Sequence, residues 1–354
     1  MQAGLYLTLT RGLGAPEARI CYECAEPLCH SLDRPLLLYS GLMGRWVYSL
    51  VTDKLTTTMQ IAKRVSLLAQ NQNDAALIMG ACHALAGTLY FLGDFEATRQ
   101  YAMRGIQLWR ASGVQSPVEE VYTPAVLCLC WRALSEWHIG EIASCEAPIV
   151  QAASLAKELN DTHALAVTLL WTVILRHLEG NPGEVARLAS DLIELSSRQN
   201  FPFWLPGGKI LRGWARSASG STAEGIVWIE DGIRDYRATG AMLRMPYYLA
   251  LKAEALYFAH RVSEALEAIT EAEEAVERSG ERWWCAEIQR LRGVFLTAMG
   301  ADETQIEASF CDAIRIAREQ KSISLEKRAE TTYAEYRRQK ASAPGGRGFR
   351  LPLC

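Results

Sequence analysis

The chain has 354 residues, of which 49% are hydrophobic and 22% are charged, and these ordinary proportions exclude gross disorder. Lys plus Arg number 37 against 40 Asp plus Glu, so the net charge of −3 disfavours nucleic acid or an anionic membrane as the main partner. A single compact core rarely exceeds roughly 250 to 300 residues, so the length predicts either two domains or one extended repeat array.

The amino-terminal residues lack the features of a targeting segment. Residues 1–5 (MQAGL) are not a basic stretch followed by a long apolar run, as a signal peptide would be. No window is apolar without interruption over about 18 residues, which a membrane-spanning helix would need. The ten cysteines follow no compact disulfide framework. We therefore expect a cytoplasmic protein with free thiols and no membrane partner.

Apolar residues recur at spacings of three and four along nearly the whole chain, and alternating strand patterns are almost absent, which predicts an all-α protein. Turn residues separate the predicted helices at regular intervals. In chain order they are Asp53, Gly93, Gly140, Gly180, Gly220, His260 and Gly300. The intervals are 40 residues except for one of 47, so the sequence predicts a repeating unit of about 40 residues.

The same period appears in the residues themselves. The phrase LRG at 211–213 recurs at 291–293, with the related LKA at 251–253 halfway between them. RASG at 110–113 and RATG at 237–240 mark a second turn within the unit. Each unit is thus predicted to contain a helix A, a tight turn, a helix B and a second turn. One such hairpin cannot cover its own apolar face, so neighbouring hairpins must stack into a solenoid.

Three glycines fall inside predicted helices, namely Gly213, Gly225 and Gly232. Glycine in a helix interior costs roughly 1 kcal/mol relative to alanine, so we expect two helices to cross closely at these positions. Ser221 and Glu224 have the spacing of a capping box at the start of a helix B.

Residues 85–95 (LAGTLYFLGDF) show a helix A pattern, and Ile306, Phe310 and Ala313 show the matching helix B. The pattern resembles the tetratricopeptide repeat, although the period here is longer than the roughly 34 residues usual for that repeat. Four phrases resemble the C-terminal tetratricopeptide region of bacterial STAND-ATPase regulators. They lie at 201–204 (FPFW), 210–215 (ILRGWA), 236–240 (YRATG) and 324–329 (SLEKRA). We predict a right-handed α-solenoid of seven to eight hairpins over residues 1–335, followed by a flexible tail over residues 336–354.

In that family the repeat region follows a nucleotide-binding ATPase module, itself preceded by an adenylate/guanylate cyclase domain or a winged-helix DNA-binding domain. The resemblance implies a non-catalytic scaffold that binds a protein or peptide partner, or senses a ligand, within a bacterial signalling regulator. Such an ATPase, cyclase or winged-helix module is a further expected partner. The chain has no GxxxxGK[ST] phosphate loop, so the ATPase and cyclase activities are assigned to no residue here. Two alternatives stay open: a regulatory fragment with nucleotide-linked activity, and a partner-recruiting arm of a transcriptional regulator.

Residues that usually carry catalysis or bind metals form no recognisable set. Cys21 and Cys24, with Cys29 nearby, have CxxC spacing, but no second pair stands at zinc spacing. The six histidines are dispersed, and no serine or cysteine lies in the context of an activated nucleophile. We expect no catalytic residue, no cofactor and no metal.

The ten tryptophans suggest a binding surface instead. In tetratricopeptide arrays helix A lines the concave side, and this projection gives a candidate binding face. Its residues are His83, Tyr90, Trp137, His138, Arg176, His177, Trp214, Glu254 and Tyr257. An aromatic groove of mixed charge suits an extended peptide or a partner helix. For each residue taken alone, burial between repeats is the competing interpretation.

Overall fold

The computed structural model describes residues 2–52, 54–113, 118 and 120–342. Within these ranges the chain forms 17 α-helices, one short 3-10 helix at Ile142–Ser144, and no β-strand. The helices are α1 (Gln2–Arg11), α2 (Pro16–Ser31), α3 (Pro35–Thr52), α4 (Leu55–Gln72), α5 (Ala75–Leu92), α6 (Phe95–Ser112), α7 (Pro124–His138), α8 (Glu146–Glu158), α9 (Thr162–Leu178), α10 (Pro182–Arg198), α11 (Trp204–Ala218), α12 (Thr222–Ala238), α13 (Met245–Phe258), α14 (Val262–Ser279), α15 (Cys285–Met299), α16 (Glu303–Glu319) and α17 (Ile323–Ser342).

Successive helices pair as hairpins from α1–α2 to α15–α16, and α17 packs on α15 and α16 as a closing helix. The predicted α-solenoid of helical repeats is confirmed. The predicted turn residues end helix A in the left-handed conformation, with φ between 61° and 98°. They are Gly93, Gly140, Gly180, Gly220, His260 and Gly300, whereas Asp53 lies outside the described residues.

The predicted end of the array at residue 335 lies inside α17, which continues to Ser342. Residues 336–342, predicted to be part of a flexible tail, are therefore helical. The packing of Tyr333 and Tyr336 against Phe310 of α16 stabilises this part of α17. The remainder of the predicted tail, residues 343–354, lies outside the described residues.

The array winds so tightly that hairpins distant in sequence touch. The main-chain N–H of Met242 donates to the carbonyl of Val51, and that of Arg282 donates to the carbonyl of Phe91, both at 2.7 Å. Each bond joins the end of a helix A to a loop almost five repeating units later in the chain, so one superhelical turn takes just under five units. The last carbonyls of a helix have no partner within it, and here the following turn of the array supplies one.

A third helix A is joined in the same way. The Ser322 hydroxyl lies 3.4 Å from the carbonyl of His138, and the Ser324 hydroxyl donates to the carbonyl of Trp137 at 2.5 Å. We call this set of contacts the seam. Its residues are Val51, Phe91, Trp137 and His138 on helices A, and Met242, Arg282, Ser322 and Ser324 on later segments.

Closure along the seam fills the inside of the superhelix with aromatic rings. The ring centre of Tyr90 lies between 5.3 and 5.7 Å from those of Trp131, Trp171 and Trp283. All four side chains are at most 3% exposed. The inner ends of the helices A therefore form a packed core through the middle of the molecule.

Helices α11 and α12 cross closely at glycines, which confirms the prediction from the sequence. A Cβ on Gly213 would lie 2.6 Å from the carbonyl oxygen of Gly225, and one on Gly232 would lie 2.6 Å from Ile210. The predicted capping box is wrong, because the Ser221 side chain caps no N–H and Glu224 pairs instead with Arg216 at 2.9 Å.

Gly225→Ala is expected to lower the free energy of unfolding by about 1–2 kcal/mol. The new Cβ would lie 2.4 Å from the carbonyl oxygen of Gly213, so the two backbones must separate. Overpacking of this kind costs roughly 1–3 kcal/mol, which exceeds the gain of about 1 kcal/mol in helix propensity. Urea denaturation followed by circular dichroism measures the change.

Gly183→Ala in α10 is the matched control, since the atom nearest to its new Cβ is the Asn181 side-chain oxygen at 3.7 Å. We expect this variant to be as stable as the wild type or more stable. Equal effects of the two substitutions would contradict the close crossing.

Candidate functional site

A cavity of about 630 Å³ opens at the amino-terminal end of the array, and we call it the outer cavity. Met43, Trp46 and Val47 of α3 and Tyr122, which precedes α7, form much of its apolar wall. Arg34, Leu36 and Leu37 lie among its lining residues and are exposed, which places them at its mouth.

The stretched interval in the sequence contributes to this wall. Eleven residues connect Ser112 of α6 to Pro124 of α7, whereas five connect Arg198 of α10 to Trp204 of α11. Among the described residues of the long connection, Tyr122 lines the outer cavity. The departure from the 40-residue period thus coincides with the site.

A second cavity of about 30 Å³ adjoins the outer one, and we call it the inner cavity. The two share four lining residues, Trp46, Val47, His83 and Tyr122. The volume of the inner cavity exceeds the roughly 10–15 Å³ that one water molecule needs. Its other lining residues include Trp171, Phe203, Trp204 and Arg244.

His83 lies between the two cavities and is buried. Its Nδ1 accepts a hydrogen bond from the Trp131 indole N–H at 3.0 Å. Burial lowers the pKa of His83 to about 3, so the ring is neutral at pH 7 and carries its proton on Nε2. Nε2 has no hydrogen-bond partner among the described residues. His83 therefore has an unused N–H donor at the junction of the cavities.

Arg244 lies at the inner cavity and is only 3% exposed. Its Nε donates to the Tyr248 hydroxyl at 3.2 Å, and its Nη2 donates to the Tyr236 hydroxyl at 3.4 Å. No carboxylate oxygen of the described residues lies within 4.0 Å of the guanidinium nitrogens. Glu281 instead accepts a bond from the main-chain N–H of Arg244 at 2.8 Å.

Aromatic rings surround the Arg244 guanidinium. Its Cζ lies 5.6 Å from the ring centre of Trp171, 5.4 Å from that of Phe203 and 5.9 Å from that of Trp204. These distances are in the range of cation–π contacts, which stabilise a desolvated cation. The backbone of Arg244 has a φ of 65°, which lies in the left-handed region. Residues other than glycine rarely adopt this conformation, and such residues recur at functional sites.

The nine residues of the predicted binding face do not form one open surface. The structure buries His83, Tyr90, Trp137, His138, His177, Trp214 and Glu254, and it leaves Arg176 and Tyr257 partly exposed. The physical reason is the seam, since later hairpins cover the inner ends of the helices A. Only His83 lines a described cavity, and binding by the other eight stays a prediction.

The structure brings two groups of these residues together. In the first, the Tyr90 hydroxyl lies 3.4 Å from Nε2 of His138, whose ring stacks on Phe95, while Trp137 belongs to the seam.

In the second group, Trp214 donates its indole N–H to Glu254 at 2.8 Å, and His177 lies 4.0 Å from Glu254. The remaining three residues of the predicted face belong to neither group, and His83 lies at the two cavities. Arg176 pairs with Glu179 at 2.7 Å, and Tyr257 packs on Phe295.

Arg244 and Trp171 are not among the residues predicted from the sequence. One signal was present, because Arg244 stands alone among apolar residues in the segment AMLRMPYYLA at 241–250. A single charge inside an apolar run is informative, because arginine is almost never fully buried unless it is paired. Nothing local indicated that Trp171, which lies on α9 two hairpins earlier, would contact it.

In the described part of the chain, no group of three His, Cys, Asp or Glu side chains could hold a metal ion. The nine cysteines there are free thiols, as expected. Cys24 is exposed on α2, Cys21 is half-buried and Cys29 is buried.

Helix α5 is long and apolar enough to cross a membrane by length and composition, but 78% of it is buried inside the fold. Its apolar character is therefore explained by packing between neighbouring hairpins.

No family model matches the chain. An uncharacterized protein of Rhizobium meliloti (strain 1021) is 22% identical over 335 residues, covering 94% of this chain and 32% of the relative. The chain thus spans about a third of the length of the curated relative that it matches.

Solved structures that share the fold include the following three. A Rap protein complexed with Competence and Sporulation Factor has 10% identity and a TM-score of 0.58, covering 89% of this chain and 83% of that one. NprR in complex with its cognate peptide NprX has 9% identity and a TM-score of 0.57, and the match covers 90% of this chain and 94% of NprR. The human IFIT1 dimer with PPP-AAAA has 12% identity and a TM-score of 0.55, and the match covers 93% of this chain and 71% of the IFIT1 chain. At these identities the likeness shows a tetratricopeptide-like helical-repeat fold and nothing more.

Proposed function

We propose that this chain is a non-catalytic scaffold that binds a peptide, or an extended segment of a partner protein, in the outer cavity. The observation that carries the proposal is the cavity itself. Its volume of about 630 Å³ lies within the range of ligand sites, and apolar walls surround a few polar groups. The likeness to NprR with its cognate peptide supports the same class of ligand.

A peptide matches the chemistry of the walls. Its apolar side chains would contact Met43 and Trp46, and one of its carbonyl or carboxylate oxygens could accept the bond that the His83 N–H leaves unused. The exposed Leu36 and Leu37 at the mouth extend the apolar surface outward.

The IFIT1 structure with PPP-AAAA raises a second candidate, a nucleic acid. The charges argue against it, since the chain carries a net charge of −3. The lining of the outer cavity includes Asp33 and Glu120 alongside a single arginine, Arg34. Phosphate groups need a cationic surface, which this lining does not offer.

The sequence resemblance extends the proposal to the biological setting. The chain would act in the bacterial cytoplasm, within or beside a regulator that carries an ATPase module together with a cyclase or winged-helix domain. Peptide binding would then modulate that module. This setting rests on the phrases between residues 201 and 329.

Ser40→Trp is expected to reduce peptide binding about tenfold or more. Ser40 lies on α3 at the wall of the outer cavity and is half-buried, so an indole there would fill space that a ligand needs. An equimolar pool of pentapeptides, incubated with the protein and separated by ultrafiltration, can be scored by mass spectrometry. The wild type should retain a subset of the pool, which Ser40→Trp should release.

The control is Thr270→Trp on the exposed face of α14. Ser40 and Thr270 both donate their hydroxyl to the carbonyl four residues earlier, so the local change is the same. Thr270→Trp should bind as the wild type does. Failure of the wild type to retain any peptide, or full retention by Ser40→Trp, would refute the proposed function.

A further inference from the structure

We infer that the inner cavity is a subsite for a carboxylate of the bound peptide, and that Arg244 is the residue that pairs with it. The inference rests on the proposed function, because the peptide would enter through the outer cavity. It names the chemical group that the deep end of the site selects.

Arg244 carries a positive charge in the buried interior. A buried cation is costly unless an anion or a full set of acceptors compensates it. Two tyrosine hydroxyls accept one bond each, although a guanidinium has five N–H donors. The carboxylate of Glu281 is engaged by the main-chain N–H of Arg244 and by the Trp283 indole N–H at 2.5 Å. The guanidinium therefore retains donor capacity without an anionic partner in contact.

The unpartnered polar groups of the residues that line the inner cavity are donors as well. The indole N–H of Trp171 is buried and has no hydrogen-bond partner among the described residues, as is true of Nε2 of His83. Both residues line the inner cavity with Arg244. Side chains that carry donors, from three separate helices or loops, thus line one small space, and Tyr122, whose hydroxyl can also donate, lines it too. Their common complement is a group that only accepts, and an ionised carboxylate is such a group.

The indole N–H groups of the neighbouring Trp46 and Trp131 already have hydrogen-bond partners within the protein. Trp46 donates its N–H to the Thr88 hydroxyl at 3.0 Å, and Trp131 donates to His83. Their rings act as apolar walls. In such a site of low polarity, a charge-assisted hydrogen bond is about twice as strong as a neutral one.

A ligand has access to the inner cavity through the outer one. The inner cavity shares Trp46, Val47, His83 and Tyr122 with the outer cavity, so a carboxylate could reach it while the peptide body stays in the outer one. Arg244 is held firmly in place, since its own main chain is bonded to Glu281 and lies two residues after Met242 of the seam. A fixed cation selects a ligand with less loss of freedom than a mobile one.

The carboxylate could be the peptide C-terminus or an Asp or Glu side chain, and one experiment separates them. A pool of pentapeptides is prepared twice, with free C-terminal acids and with C-terminal amides, and retention by the wild type is compared. If the C-terminus is bound, the acids should be retained about ten- to hundredfold better than the amides. If a side chain is bound, amidation should have no effect, and peptides containing Asp or Glu should be enriched to the same degree.

Arg244→Gln should abolish whichever preference the wild type shows. Arg212→Gln is the matched control, because Arg212 also stacks on a tryptophan, with its Cζ 4.8 Å from the Trp228 ring, but lines neither cavity. If circular dichroism shows that Arg244→Gln does not fold, Trp171→Phe replaces it. That change keeps a ring beside Arg244, removes one donor, and should weaken the preference severalfold.

Retention of peptides without any preference for carboxylates would overturn this inference and leave the proposed function intact. A carboxylate preference that persists in folded Arg244→Gln would also overturn it. If no peptide is retained in either pool, the proposed function fails, and the inference fails with it.

Discussion

Glu287→Gln is expected to lower the free energy of unfolding by about 3–5 kcal/mol, one of the largest effects available to a single substitution in this chain. Glu287 accepts from Arg290 at 2.7 and 3.0 Å and from Arg328 at 3.2 Å. Glu287 and Arg290 are at most 2% exposed. Glutamine is neutral and has one acceptor oxygen, so two guanidinium groups would lose their shared anion in the core.

The electrostatics of the cluster supports this expectation. Burial disfavours the charged carboxylate, but the two arginines outweigh burial and hold the pKa of Glu287 well below its usual range. Glu287 is therefore ionised at neutral pH.

The cluster also joins distant parts of the array. Arg328 belongs to α17, and it donates to the carbonyl of Leu178 at 2.6 Å and stacks on Trp137. Loss of Glu287 should thus loosen α17 from α7 and α9. We expect faster amide hydrogen exchange over Ile323–Ser342, in addition to a lower urea midpoint by tryptophan fluorescence.

Glu273→Gln is the control on the preceding helix. Glu273 pairs with Arg292 at 3.1 Å, but both side chains are about 30% exposed. Solvent-exposed pairs of this kind contribute about 1 kcal/mol or less. A Glu287→Gln variant no less stable than Glu273→Gln, or unchanged exchange in α17, would show that the buried cluster does not hold the closing helix.

The repeats could be predicted because their signals are local. A glycine such as Gly180 or Gly220 ends a helix wherever the backbone needs a positive φ, and an apolar stripe identifies a helix without knowledge of its neighbours. The close crossing at Gly213 and Gly225 could be predicted for the same reason, since the two residues lie in one hairpin.

The site could not be predicted, because it depends on how many units complete a superhelical turn. The seam joins segments that are almost five repeating units apart, and no spacing in the sequence encodes the small rotation between successive units that produces it. Residues such as Trp214 and Glu254 were therefore projected onto an open surface, although their hydrogen bond lies in the core. His83 was identified, while its companion Arg244 comes from a segment four hairpins later in the chain.

The wild type is expected to lose several kcal/mol of stability as the pH rises from 5 to 8 because of two buried carboxyl groups. Burial raises the pKa of Glu254 from 4.5 to about 7, against the opposing effect of the Trp214 hydrogen bond. Burial likewise raises the pKa of Glu281 from 4.5 to about 7. A rise of this size corresponds to about 3 kcal/mol for each carboxyl group.

The direction of this change in stability follows from the number of protons that the folded and unfolded states bind. Between pH 4.5 and 7 the folded protein keeps protons that the unfolded chain releases, so stability falls as the pH rises. Below pH 4.5 both states are protonated and the contribution of each carboxyl group is complete. Above pH 7 that contribution is lost, because the folded protein must then bury the charge.

Glu254→Gln and Glu281→Gln test this directly, since glutamine resembles the neutral acid at every pH. Glu254→Gln should match the wild type within about 1 kcal/mol at pH 5 and exceed it by about 2–3 kcal/mol at pH 8 in urea denaturation. Glu281→Gln starts from a lower stability, because its amide nitrogen would face one of the two N–H donors that the carboxyl group accepts. Its stability relative to the wild type should still rise by about 2–3 kcal/mol between pH 5 and pH 8. Other groups near Glu254 should not mask the effect. Burial lowers the pKa of His177 to about 3, and Glu287 stays ionised beside its arginines, so neither titrates in this range.

Glu264→Gln on the surface of α14 is the control. Its hydrogen bond with Arg261 lowers the pKa of Glu264, so this carboxyl group is ionised throughout the range from pH 5 to 8. Its replacement should shift the stability by a similar small amount at both pH values. A flat wild-type profile, or a Glu254→Gln variant that is less stable than the wild type at pH 8, would mean that these carboxylates are stabilised by their donors rather than strained by burial. The core beside the seam would then tolerate a charge on Glu281, which precedes Arg282 and whose carboxylate accepts bonds from Arg244 and Trp283.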